Sequence, residues 1–168
     1  MQTSLMLPAS GPVQADALFK FWLHECADSS IVSALAPAAK TGLLTVLQYI
    51  LAGTGDINVD HQHTRAVLVG ATSLQFGMAT GEGHNRTAVL GQQLWVDSIV
   101  LGDAALPVHQ ILLAIQSGTA PELEMDEPTQ LLQYVASQAG DQVEVVFGHG
   151  LNPALGANIQ VMMLVSRS

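Results

Sequence analysis

The sequence has few cations and one thiol. Of its 168 residues only five are Lys or Arg, against fourteen Asp or Glu, for a formal net charge of −9. Phosphate-backbone binding relies on clustered Lys and Arg, so nucleic acid is not an expected partner. Cys26 has no second cysteine to pair with, and an acidic chain without a disulfide framework reads as cytoplasmic. A buried, inert thiol is the ordinary role for such a residue. No apolar run is long enough to cross a bilayer. The first basic residue is Lys20, and the short apolar run at 5–7 stops at Pro8, so the layout of a signal peptide is missing. A soluble protein is expected, with no membrane partner.

Signatures of chemistry are scarce as well. There is no Gly-x-x-x-x-Gly-Lys phosphate loop and no Ser/His/Asp or Cys/His signature that would support nucleophilic catalysis. His61 and His63 stand two apart, with His84, His109 and His149 elsewhere. A metal site needs ligands that converge, which this spacing does not indicate, so no metal and no cofactor are expected. Gly53-Thr54-Gly55 is a faint echo of a phosphate-binding loop, but glycines at this place are expected to end a helix.

The sequence is rich in apolar residues: 49% are hydrophobic, 11% are charged and the mean hydropathy is +0.35. A chain of this length can form one domain, 1–168, that buries roughly 70% of its unfolded surface. So few charges cover a monomer poorly, which predicts that some apolar surface meets a partner.

Periodicity gives the elements. Leu18, Phe19, Trp22, Leu23 and Cys26 recur at spacings of three and four after Ser10-Gly11-Pro12, predicting an amphipathic helix over 13–26. A second helix is expected over about 30–52, with Pro37 near its start and Gly53 and Gly55 ending it. A short third would run from the loop at 58–63 to about residue 70, with Asp60 as N-cap. Leu74, Phe76, Met78 and Thr80 alternate with smaller residues as in a strand, and a helix follows over 84–98. The run 110–115 is continuously apolar between Pro107 and Gly118, as in a strand buried on both faces. Asp126-Glu127-Pro128 opens another helix with acids at its N-terminus. Strands at 143–147 and 159–165 complete the order. The predicted fold class is α/β (α+β), a two-layer sandwich in which a mixed four-stranded sheet packs with helices.

Several short stretches occur in the order and spacing of one known family. They are Ile57-Asn58-Val59-Asp60, Gly77-Met78-Ala79-Thr80-Gly81-Glu82, Asn85-Arg86, Leu123 with Met125-Asp126-Glu127, Phe147-Gly148 with Leu151-Asn152-Pro153, and Ile159-Gln160-Val161. Over residues 34–167 the chain resembles the C-terminal half of FtsZ and tubulin-like proteins, with 1–33 as an N-terminal extension. The resemblance implies that an Asn-x-Asp-x-x-Asp loop after the central helix presents carboxylates to the GTP of the next filament subunit. Here His63 takes the second acidic position, and an imidazole, which carries no negative charge, does not replace an anion. Nothing like the family's glycine-rich GTPase half precedes the matched region in the sequence, so GTPase activity is not expected.

The resemblance also implies that removing that half uncovers apolar surface, for which Phe19, Trp22 and Leu23 would provide either a cover or a homodimer contact. Asn58, Asp60 and His63 are the candidate partner interface, although Asx residues before a helix also serve as caps. Arg86 follows the family pattern and is expected in an ion pair. The functional expectation is a non-catalytic, cytoplasmic interaction domain that binds itself or an FtsZ/tubulin-like filament in a cell-division or cytoskeletal setting. The alternatives are a structural homo-oligomer, or an enzyme or small-molecule binder with a pocket between sheet and helices where His61, His63, Glu82 or His149 converge.

Overall fold

Why the helices start and stop where they do is visible in their end residues. Helix α1 spans Gly11–Glu25. Helix α2, Pro37–Ile50, begins on a proline at its first turn, where the missing N–H costs nothing, after an extended Ala36. Its buried residues Leu43, Val46, Leu47 and Ile50 form one stripe. Helix α3 is His61–Val69 and α4 is Arg86–Val96. Helix α5, Asp126–Ala139, has Asp126 and Glu127 in its first turn, where the helix dipole favours negative charge. It ends at Gly140, whose φ of 116° suits a residue without a Cβ.

This computed structural model describes residues 11–25, 31, 35–51, 61–69, 71–82, 86–119, 124, 126–140 and 143–168. Asn58, Asp60 and Cys26 lie outside the described residues, as do Gly53, Thr54 and Gly55.

The strands are β1 Ser73–Gly81, β2 Ile99–Leu101, β3 Val108–Ser117, β4 Glu144–Leu151 and β5 Ile159–Arg167. They form one sheet in the order β2-β1-β5-β3-β4. Strand β5 lies in the middle, antiparallel to β1 with Phe76 opposite Leu164, and antiparallel to β3 with Leu112 opposite Leu164. A register shift between Val108 and Gln110 leaves His109 as an extra residue on β3. Strands β3 and β4 are parallel, so the chain crosses over through α5 to return in the same direction. A short 3-10 turn, Pro153–Leu155, joins β4 to β5.

The mixed α/β class agrees with the sequence reading, but two details differ. The sheet has five strands where four were expected, because the three-residue β2 pairs with β1 through Leu74–Leu101 and Phe76–Ile99. Its length is too short for a period to register. Helices also cover both faces, giving three layers where two were expected. On one face Leu74, Phe76, Leu112, Met162 and Leu164 join the stripes of α1, α2 and α3. On the other, Ala79, Ile111, Leu113, Ile115, Val161, Met163 and Val165 pack with Leu90 and Leu94 of α4 and Leu131 and Val135 of α5. The alternation along β3 and β5 sends successive residues to opposite cores, which is why both strands are continuously apolar in the middle, at 111–115 and 161–165.

Helix α1 lies against α2 and α3. Phe19 and Trp22 are 1% and 0% exposed within this chain's own core, and Leu23 packs against the same cluster. The Trp22 indole N–H donates to the carbonyl of Ala71 at 3.1 Å, so the buried ring has its one polar group satisfied.

Candidate functional site

Asn58, Asp60 and His63 are the partner interface assigned from sequence, and His63 stands in the first turn of α3. Thr64, Val67 and Leu68 turn inward and are wholly buried, leaving Gln62, His63, Arg65, Ala66 and Val69 exposed. His63 is thus on the outward face, and Val69 is 52% exposed one turn and a half further on. No residue of α3 is acidic. The structure describes neither Asn58 nor Asp60, so it places only His63 of the three.

The five cations each have a contact within the chain, and one of them, Arg65, is on α3. Arg65 lies over the Phe21 ring of α1 at 4.3 Å from ring centroid to guanidinium carbon, and Lys40 of α2 lies 5.8 Å over Phe19. These cation–π contacts tie α1 to both neighbours. Lys20 pairs with Asp16 one turn earlier at 3.0 Å. Arg167 donates twice to Gln75 Oε1, at 3.2 and 2.7 Å, and once to the carbonyl of Leu106 at 2.9 Å. Burial pushes its pKa down, since its partners are neutral.

Arg86 forms the tightest of these contacts. Its Nε and Nη2 donate to the two carboxylate oxygens of Glu127 at 2.6 and 2.7 Å, and Nη1 donates to the carbonyl of Ala157 at 3.2 Å. Glu127 also accepts from the backbone N–H of Glu124 at 2.8 Å. Thr87 and Gln130 hydrogen-bond beside it at 2.9 Å. The hydrogen bond from Arg86 holds the Glu127 carboxyl below its usual range against the opposing effect of burial, and the same bond raises Arg86. The ion pair expected of Arg86 is present, and it joins α4, α5 and the turn before β5. Asn152 has a comparable role, capping the 3-10 turn through its side-chain oxygen to Ala154 N at 3.2 Å.

Two further places bear on the alternative of a small-molecule pocket between sheet and helices. His149 Nε2 and Ser117 Oγ are 2.9 Å apart at the carboxyl ends of the parallel strands β4 and β3. Ser117 is 0% exposed, which closes it to a substrate. A crevice of about 140 Å³ lies between α2 and the β1–β2 edge, lined by Gly42, Val46, Phe76, Gly77, Met78, Asp97 and Ile99. Neither His63, Glu82 nor His149 lines it. Among the described residues no three His, Cys, Asp or Glu side chains are grouped to hold a metal ion, and no helix is long and apolar enough to cross a membrane.

No family model matches the chain. Among solved structures, a mutant FtsZ from M. jannaschii superposes with a TM-score of 0.64 at 14% identity, over 90% of this chain and 50% of that one. The fold is FtsZ/tubulin-like. The GDP-bound monomer of CetZ1 from Haloferax volcanii gives 0.54 at 16% identity, over 92% of this chain and 50% of its own. The GDP-form protofilaments of TubZ from Bacillus thuringiensis serovar israelensis give 0.51 at 10%, over 92% and 48%. The chain therefore spans about half the length of each of these three structures. The pairs Arg86–Glu127, Ser117–His149 and Gln75–Arg167 are separated by 41, 32 and 92 residues, so no local period could have revealed them.

Proposed function

We propose that this chain is a non-catalytic, cytoplasmic interaction module built on the C-terminal-type half of an FtsZ/tubulin-like protein, and that it binds itself or an FtsZ/tubulin-like filament in a cell-division or cytoskeletal setting. The observation behind this reading is the match over 90% of this chain to about half of an FtsZ. Two neighbours are a dimer and protofilaments by their own descriptions, so association through this fold has precedent.

The proposed contact is the outer face of α3 together with Asn58 and Asp60, docking on the nucleotide end of a filament subunit and capping it. His63 stands where the resemblance implies a carboxylate, and α3 contributes no acid of its own. A cap of this kind would block growth without speeding hydrolysis, because a carboxylate that orients the attacking water is missing. Nucleotide binding within the chain is not proposed. Each of the five cations meets an acid, an amide oxygen or an aromatic ring of this chain.

The test is sedimentation of the purified chain with an assembled cognate filament. Capping requires co-sedimentation or shortened polymers at micromolar concentration, and failure of both removes the capping role. His63→Asp, which restores the acid, is expected to turn an inert cap into one that raises nucleotide turnover by the filament. Isothermal titration with GTP should show no tight binding to the chain alone.

A further inference from the structure

Strand β4 lies at the end of the sheet and, among the described residues, pairs with β3 alone. Among the described residues no other strand takes up the outward backbone N–H and C=O groups along Glu144–Leu151. Natural sheets usually guard such an edge with lysine, proline, a bulge or a very short strand. Strand β4 has none of the first two in Glu-Val-Val-Phe-Gly-His-Gly-Leu, and its pairing with β3 runs through eight consecutive residues without a register shift. By contrast the opposite edge, β2, is only three residues long.

The side chains along this edge are unusually neutral for a chain of charge −9. Glu144, exposed at the start of the strand, is the one acid, and its carboxylate accepts from the Gln110 side chain on the neighbouring β3. Val145, Val146 and Phe147 are half-buried, and Leu151 is 44% exposed. With one acid on the strand, two copies of an acidic chain bring few like charges together here.

The geometry points to a homodimer in which β4 of one copy pairs antiparallel with β4 of another. A two-fold axis across a sheet edge must stand perpendicular to the sheet, so that each face continues into the same face of the partner. Facing residues then have numbers with an even sum. Centring the axis on Gly148 sets Val145 opposite Leu151 and Phe147 opposite His149, so that Leu151 gains an apolar neighbour. Glu144 stays outside the paired segment, and the two acidic ends lie at opposite ends of the joint. The product is a continuous ten-stranded sheet, twice the five strands of one copy. The β4 edge and the outer face of α3 are separate surfaces, so the outcome of filament sedimentation does not decide this pairing.

Light scattering across a concentration series is expected to show a dimer. Leu151→Glu places an acid near Glu144 of the other copy at both ends and is expected to weaken the dimer about tenfold. Residue 151 is exposed, so circular dichroism should show an unchanged fold. Opposed residues on antiparallel strands lie within disulfide reach. In a Cys26→Ser background, a mixture of Val145→Cys and Leu151→Cys chains should form a disulfide-linked heterodimer under mild oxidation, while Val145→Cys alone should not. A chain that stays monomeric up to several hundred micromolar, a dimer indifferent to Leu151→Glu, or cross-linking of Val145→Cys to itself would each overturn the pairing.

Discussion

Arg86 and Glu127 are 4% and 13% exposed and meet through two hydrogen bonds, so each would be an uncompensated charge without the other. Arg86→Ala is expected to cost roughly 3–5 kcal/mol in denaturant unfolding, because it strands Glu127 beside three chain segments. The pH dependence follows from the direction of the shift. The carboxyl of Glu127 is lower in the folded state than in the unfolded chain, chiefly through its bond to Arg86. Its stabilisation is therefore present above the ordinary carboxyl value of about 4.3 and is lost as acid brings the pH down through the lower folded value. Thermal melts below about pH 4 should show this loss, and Glu127→Gln should remove that part of the acid dependence. Trp22 makes a second test at this scale. Trp22→Ala should cost roughly 3–5 kcal/mol through the cavity it leaves. Trp22→Phe should cost about 1–3 kcal/mol, much of it from the carbonyl of Ala71 left without a donor.

Among the elements, α4 and α5 approach closely because Gly91 has no side chain. A Cβ there would sit 2.5 Å from Tyr134 Cδ1 and 3.0 Å from Cγ, near the root of the ring, where it cannot simply swing aside. Gly91→Ala should destabilise the chain by about 1–3 kcal/mol despite its better helix propensity, and adding Tyr134→Ala should recover part of the loss. A double-mutant cycle in denaturant measures this coupling directly. The helices were legible in sequence because their buried residues recur at three and four, as Leu43, Val46, Leu47 and Ile50 do on α2. Helix α2 nevertheless begins at Pro37 and not near residue 30, where the apolar period was carried past a residue that starts helices. The apolar run on β3 correctly indicated burial on both faces, yet the two layers of helices it implied were read as one. Of the candidate site, His63 is on an outward face of α3, while the ion pair that joins Asn85-Arg86 to Met125-Asp126-Glu127 emerged only in three dimensions. Those short stretches are recognisable in the sequence, but the contact between them depends on how α4 and α5 pack.

At the scale of the molecule, α1 is what covers α2 and α3. Phe19 and Trp22 fill that interface while Lys40 and Arg65 close over the aromatic rings of α1. A chain starting at residue 26 should therefore expose the apolar stripes of both helices, bind a hydrophobic dye and aggregate, whereas the full chain should not. Equal dye binding by the two would show that α1 is not the cover. The placement of β5 has a different consequence, for synthesis. The central strand of the sheet is the last to be made, so on the ribosome β1 has only the short β2 as neighbour and β3 only β4 until residues 159–167 have emerged. Two apolar half-sheets must wait side by side without their common seam, and protection of that nascent stage by a chaperone would matter more here than in a fold whose middle strand is translated first.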